Sequence, residues 1–211
     1  MRRERLGGWA MIAGAVMGLV TMAFHPTGGG EPALALAVHA LAIAGVTLLF
    51  YGGWVLTRRL SAGGPLAELA LAVYGMSVVA TVLAATASGL LAPDLIARAA
   101  ELQGEARAAA DALLHYNYAL NQAFAKVLVA ASSVAIGLWS VEILRTRLMR
   151  RATGILGFIV AVLTLLALFS GHLRLDVHGF GAVVLAQAVW LIVAGAELIK
   201  HEEKDRNYKL D

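Results

Sequence analysis

The sequence predicts an all-α integral membrane protein, a bundle of six transmembrane helices. Of its 211 residues, 60% are hydrophobic and only 15% are charged, whereas soluble domains have roughly 45–50% apolar and about 25% charged residues. Six stretches are long and apolar enough to cross a bilayer core of about 30 Å. They cover residues 6–24, 33–56, 66–91, 113–144, 153–170 and 177–199. Few residues remain, so residues 1–211 are expected to form a single domain.

Basic side chains are concentrated at alternate ends of these spans, which predicts the orientation of the bundle. Lys and Arg are frequent before the first span, after the second, between the fourth and fifth, and in the tail 200–211. Because cytoplasmic loops carry an excess of Lys and Arg, we expect both termini to be cytoplasmic, in a cell (inner) membrane. The net charge of +3 then predicts contact with membrane lipid and not with nucleic acid.

Two connections carry distinct signals. Residues 25–32 contain Pro26, three glycines and Pro32, which end one helix and allow a free turn before the next begins. The longer connection, 92–112, has Pro93-Asp94 as a helix-start signal followed by an Ala-rich segment with charged residues. It predicts an extracytoplasmic amphipathic helix over about 94–111, which either lies over the outer face as a lid or plain connector, or extends the fourth span.

Five of the six histidines fall at the extracytoplasmic ends of the predicted spans. Imidazole is the commonest metal ligand, and it is costly to hold near hydrocarbon without a partner. The chain has no cysteine, so a metal would need nitrogen and oxygen ligands. We therefore expect an outward-facing site for zinc, copper or iron, or for a b-type haem, with these candidate ligands: His25, His39, His115, His172, His178 and Asp176.

The most informative single histidine is His39. It lies about seven residues into the second span, hence roughly 10 Å below the start of the helix at about 1.5 Å per residue. Its neighbours in sequence are otherwise apolar, so the ring should face the bundle interior and have a partner. The partner is either a bound metal or an ordinary acceptor, namely a backbone carbonyl or a serine on the next helix.

The segment from His172 to His178 alternates polar and apolar residues. In an extended chain, His172, Arg174, Asp176 and His178 would project to one side and the three apolar residues between them to the other. In a helix, the pairs four residues apart would be neighbours instead. Arg174 suits an anion such as a haem propionate, a lipid phosphate or Asp176. The alternative is an Arg-Asp pair in an ordinary turn.

The fourth span opens with an unusually polar sequence, residues 115–122. His115, Tyr118 and Gln122 share one helical face, which Lys126 continues, while Asn121 lies on a neighbouring ridge. Lys126 would lie near mid-membrane, where no carboxylate is expected at the same depth. The residues predicted to support the site or contact a substrate are therefore Tyr118, Asn121, Gln122, Lys126 and Arg174.

Three classes of function agree with these patterns. The first is a membrane metalloprotein, redox-active or hydrolytic, with a histidine-rich outward-facing site. The second is a small transporter or metal permease, with Lys126 and Glu142 further along the path. The third is a non-catalytic subunit of a larger membrane complex, whose histidines bind lipid, quinone or a neighbouring chain. The sequence does not decide whether the protein is an enzyme, and small residues in its spans permit packing within one chain or in a homo-oligomer.

Overall fold

The computed structural model describes residues 3–26 and 32–207, and this part of the chain is helical apart from short connections. Residues 27–31 of the first connection and 208–211 of the tail lie outside it, as do the side chains of residues 201–207. Seven α-helices occur in the described ranges: α1 Arg3–Ala23, α2 Pro32–Leu60, α3 Leu66–Ala85, α4 Ala92–Ala100, α5 Gly104–Thr146, α6 Arg151–Phe169 and α7 Val177–Asn207.

Six helical stretches in the described ranges have the length and apolar character needed to cross a membrane, as expected for a multi-pass membrane protein. They correspond one for one to the six predicted spans, with α3 continuing through a π-helical turn into α4. Large apolar side chains cover the outside of the bundle, including Leu163, Leu166 and Phe169 on α6, the last of which is 78% exposed. Such side chains are stable against lipid tails, not against water.

The spanning helices form a closed ring in chain order, because each packs against the helices before and after it and α7 returns to contact both α1 and α6. Glycines allow the closest approaches. A Cβ at Gly14 on α1 would lie 2.6 Å from the carbonyl oxygen of Gly45 on α2, and one at Gly195 on α7 would lie 2.7 Å from that of Gly8 on α1. Small residues of this kind let helix backbones approach within a membrane.

Polar contacts identify the two ends of the ring. At one end, the carboxylate of Glu4 at the start of α1 forms an ion pair with the guanidinium of Arg59 at the end of α2, with 2.8 Å between Oε1 and Nη1. At the same end of the α6–α7 pair, Glu197 near the end of α7 accepts from the hydroxyl of Thr153 near the start of α6 at 2.8 Å. This basic end carries the Arg and Lys clusters. At the opposite end, His25 after α1 meets His39 near the start of α2.

The connection between the third and fourth spans differs from the predicted surface helix over 94–111. Residues up to Ala100 continue the third span through α4, the chain breaks at 101–103, and Gly104 begins α5. The two helices form a hairpin, in which the guanidinium of Arg107 donates to the carbonyl of Ala99 at 3.1 Å and pairs with Asp111. The second half of the predicted helix therefore extends the fourth span, one of the two expected arrangements, while the first half extends the third.

Candidate functional site

A cavity of about 720 Å³ opens at the end of the bundle opposite the basic end. We call it the histidine cavity. Its wall is formed by the end of α1, the start of α2, the end of α3 with the π turn and α4, the first membrane turns of α5, and the start of α7. Its volume lies within the range of about 300–1,000 Å³ that is usual for small-molecule sites.

Two histidines meet in its wall. The rings of His25 and His39 are 5.2 Å apart between centroids and meet edge to face. His39 is 5% exposed, while His25 is half-buried at the end of α1. α1 ends at Ala23, and the Pro26 that follows His25 has no backbone N–H with which to continue a helix.

Both ring nitrogens of His39 already contact oxygen atoms. Its Nδ1 lies 2.6 Å from the carbonyl of Ala35, one turn earlier in α2, and its Nε2 lies 2.9 Å from the hydroxyl of Ser88. Because a carbonyl oxygen only accepts, we assign the ring proton to Nδ1, which leaves Nε2 as the acceptor for Ser88. His39 thus contacts both of the non-metal partners expected from the sequence, a backbone carbonyl and a serine on the next helix.

The π turn, Thr86–Leu91, is what brings the third span to His39. A Cβ on Gly89 would overlap the ring of His39, so only glycine permits this approach. The turn also changes the backbone pairing, and Asn117 on α5 donates from Nδ2 to the carbonyl of Ala87 at 3.0 Å. Asn117 is 6% exposed and its Oδ1 has no hydrogen-bond partner. π-turns of this kind are frequent at functional sites.

The pKa of the His25 imidazole is lowered, chiefly because burial disfavours the charged ring and secondarily because His39 lies beside it; the hydrogen bond to the Pro26 carbonyl opposes the shift. His25 is therefore neutral near pH 7. Its Nδ1 contacts the carbonyl of Pro26 at 3.2 Å, so the proton belongs on Nδ1. The other nitrogen, Nε2, has no partner in the described ranges and is free to accept a hydrogen bond.

The remaining polar lining comes mainly from α5. Tyr118, Asn121 and Gln122, all expected from the sequence, line the histidine cavity, and none of the three makes a side-chain hydrogen bond to another described residue. Asp176 also lines it, with Oδ1 accepting from the backbone nitrogen of Gly179 at the start of α7 at 2.9 Å. Apart from Thr21 and Thr81, the rest of the wall is largely apolar and includes Met22, Ala42, Ala84, Ala85, Ile96, Ala125, Leu128, Leu175, Val177 and Phe180.

The other three candidate histidines do not converge on the pair. His115 is exposed and bonds back to the carbonyl of Asp111 on its own helix, His172 is exposed and contacts Ser170, and His178 is exposed on the first turn of α7. Within the described ranges, no group of three or more His, Asp or Glu side chains is close enough to hold a metal ion. The described residues therefore bring His25 and His39 together but not the other three expected histidines.

Two of the expected supporting residues also lie away from the cavity. Lys126 is exposed on the outside of α5 and is not among the residues that line the histidine cavity, and Arg174 is exposed in the connection before α7. The predicted alternation around Arg174 does occur, since Leu175 is buried with Val129 and Val183 while His172, Arg174 and Asp176 are exposed.

A second, smaller space of about 120 Å³ lies deeper in the bundle, and we call it the inner chamber. It shares part of its wall with the histidine cavity, through Thr21, Met22, Ala42, Thr81, Leu128 and Phe180. Gln187 on α7 borders it and donates from Nε2 to the hydroxyls of Ser132 and Ser133 on α5, at 2.9 and 3.1 Å. The two spaces therefore adjoin along the bundle.

Sequence reasoning did not select Ser88, Asn117 or Gln187. Ser88 is next to Gly89 in an apolar span, and that Ser-Gly pair was a usable signal because glycine in a helix often marks a close approach. Asn117 was noticed only as part of a polar ridge. Gln187 is the sole amide in the last span, where a polar side chain is expected to face the interior.

These features define a class: a multi-pass membrane protein with a largely apolar cavity at one end of a six-helix ring and a buried histidine–serine pair in its wall. No protein-family model, no curated protein and no solved structure matches the chain. Function is therefore inferred from the residues of the histidine cavity.

Proposed function

We propose that the protein binds a neutral amphiphile in the histidine cavity, a molecule with an uncharged hydrogen-bonding head and an apolar body. The observation that carries this proposal is the composition of the wall, which is mostly apolar but contains a few side chains with unused hydrogen-bonding capacity. A wall of that kind, with few well-placed polar groups, is typical of small-molecule sites.

Charge narrows the class of ligand. The described lining contains no Lys or Arg, and its one carboxylate is Asp176. An anionic head such as a phosphate or a carboxylate would lack a cation to pair with, and burying it would be costly. His25 is held neutral and presents Nε2 as an acceptor, so a hydroxyl or an N–H on the ligand has a partner there. Asn121 and Gln122 can both donate and accept.

The test compares two probes that differ only in the head, a long-chain primary alcohol and the fatty acid of the same chain length. In detergent-purified protein near neutral pH, the alcohol should raise the unfolding temperature in a concentration-dependent way, because a ligand that binds the folded state stabilises it. The fatty acid should shift it much less. A Gln122→Met variant should reduce the shift caused by the alcohol. Equal shifts from both probes, or none from the alcohol, would reject the proposal.

A metal or haem at the same place is the second candidate, favoured by the 5.2 Å separation of the His25 and His39 rings. His25 would ligate through its free Nε2, whereas His39 would first have to release Ser88. The discriminating measurement is elemental analysis with an absorption spectrum, on wild type beside His39→Ala. Metal or haem in the wild type that His39→Ala loses would favour this candidate; a metal-free, colourless wild type after supplementation would reject it.

The transport hypothesis receives less support. Lys126, expected along the path, is exposed on the outside of α5. Toward the basic end, the bundle centre is filled by Trp139 and Trp190, whose rings stack at 6.2 Å, and by Tyr74 against Trp139. A binding subunit of a larger membrane complex, or of a homo-oligomer, agrees better with a cavity that ends inside the bundle.

The orientation follows from charge. Because Lys and Arg favour the cytoplasmic side, we place the basic end and both termini in the cytoplasm of a cell (inner) membrane. The histidine cavity then faces the periplasm or exterior, and its neutral ligand enters from that side or from the outer leaflet. Reporter fusions at the two termini, compared with one in the α4–α5 hairpin, test this orientation.

A further inference from the structure

We infer that the inner chamber is a second binding subsite, which takes a neutral hydrogen-bonding group at the far end of the same ligand. This inference rests on the proposed function. It makes the ligand bifunctional, with one polar head in the histidine cavity and a second polar group inside the bundle.

Polar groups without hydrogen-bond partners in the described ranges lie deep in the bundle. Tyr74, Ser77 and Gln187 line the inner chamber and are 4%, 3% and 9% exposed. Neither the two hydroxyls nor Oε1 of Gln187 has a hydrogen-bond partner among the side chains and backbone that the structure describes. These three residues line the same chamber and keep hydrogen-bonding capacity to spare, so a polar group that enters the chamber would find partners there.

The amide of Gln187 is held in a fixed direction. Both of its N–H groups are used, because Nε2 donates to the hydroxyls of Ser132 and Ser133 on α5. Ser132 in turn donates to the carbonyl of Val129 at 3.2 Å. The amide therefore presents Oε1 as an acceptor, and a ligand group that reaches it must donate a hydrogen bond.

The chamber has the size and the position for such a group. Its volume of about 120 Å³ exceeds the ≈30 Å³ share of one water molecule in the liquid. It adjoins the histidine cavity, and Ser77 is eleven residues before Ser88 on the same helical stretch, a separation of roughly 16 Å at about 1.5 Å per residue. An extended chain with a hydroxyl at each end fits this arrangement, since none of the described residues that line the chamber is charged.

The experiment uses two probes, a long-chain α,ω-diol and the primary alcohol of the same length, with detergent-purified wild type and two variants. In Gln187→Met the diol should bind more weakly by roughly threefold to tenfold, the range for one lost hydrogen bond, while the alcohol should bind as in wild type. Gln122→Met, in the histidine cavity, should weaken both probes alike. Each probe also partitions into detergent micelles, but this does not affect the comparison, because each variant is compared with wild type for the same probe.

The outcomes separate the two claims. If neither probe binds wild type, the proposed function fails and this inference fails with it. If both probes bind and Gln187→Met weakens neither, or weakens both equally, the second subsite is rejected while the proposed function stands. Ser77→Ala gives a check on the opposite wall of the chamber, because it too should weaken the diol and spare the alcohol. Unfolding temperatures of the unliganded variants show whether each one folds.

Discussion

The Nε2 atom of His39 on α2 lies 2.9 Å from the hydroxyl of Ser88 in the π turn that follows α3. This bond joins two neighbouring spans in the wall of the histidine cavity. The same hydroxyl also lies 2.7 Å from the carbonyl of Ala84 in its own helix. The Ser88 hydroxyl therefore has one proton for two possible acceptors. It donates a hydrogen bond to Nε2 of a neutral His39 only when it does not donate to the carbonyl of Ala84.

Ser88→Ala should lower the free energy of unfolding by about 1 kcal/mol, because it leaves His39 Nε2 without a partner in the bundle. The measurement is reversible unfolding in mixed micelles. Thr86→Val is the matched control, since Thr86 makes the same kind of bond to its own helix, with Val82, but is exposed. Equal effects of the two substitutions would show that the contact between the helices contributes nothing.

Gly89→Ala should destabilise the protein by about 1–3 kcal/mol, because its Cβ would overlap the ring of His39 and core overpacking has about that cost. Gly75→Ala provides the comparison in the same span. Its Cβ would meet only Phe50, at 3.9 Å, so the better helix propensity of alanine should leave stability unchanged or raise it by up to about 1 kcal/mol. Thermal unfolding of both variants tests the pair, and a neutral Gly89→Ala would contradict the close approach.

Binding of the alcohol probe should weaken as the pH falls below about 6.5. The pKa of His25 in the folded protein is lowered by burial and by the neighbouring His39, so the ring stays neutral at the ordinary histidine value and becomes protonated only as the pH falls through the lowered pKa. A protonated Nε2 can no longer accept from the ligand. Affinity measured from about pH 7.5 to about pH 5 tests this.

Two variants identify the side chain that is responsible for that pH dependence. His25→Gln should flatten the binding curve, whereas His115→Gln should leave it unchanged because His115 is exposed outside the cavity. A curve that keeps its shape in His25→Gln would assign the titration to a group other than His25.

Glu197→Ala should lower the free energy of unfolding by about 1.5–3 kcal/mol, the range for hydrogen bonds to a charged group. Its carboxylate accepts from the Thr153 hydroxyl and from the backbone nitrogen of Arg150 at the start of α6, where negative charge also favours the helix. Glu4→Ala is the control, because its ion pair with Arg59 is partly exposed and such pairs contribute little. A smaller loss for Glu197→Ala than for Glu4→Ala would contradict this account.

The sequence was sufficient for the six spans because their signal is additive over about twenty residues of hydropathy. It was also sufficient to predict that Leu175 is buried while its neighbours are exposed, because polar and apolar residues alternate along that segment. The connection at 92–112 was harder, since helical patterning does not say where a helix breaks. There the break at 101–103 assigns the two halves to different spans.

The candidate site was predicted only in part. His39 could be selected because a lone imidazole in an apolar span needs a partner, and Tyr118, Asn121 and Gln122 because they share one end of a helix. Convergence of all five histidines could not be tested from the chain, since it depends on how each helix is rotated about its axis. A rotation of one residue is about 100°, enough to turn His115 outward.

The π turn at Thr86–Leu91 has a consequence for how the cavity tolerates change. A π turn takes up one residue more than the same path in an α-helix, so deleting one residue from it would restore a regular α-helix and leave Pro93 and Ile96, which form part of the cavity wall, facing nearly as they do now. The deletion would instead remove the wide turn that carries Gly89 against the ring of His39. One residue in the chain length therefore sets this contact, while the wall beyond it is insensitive to that residue.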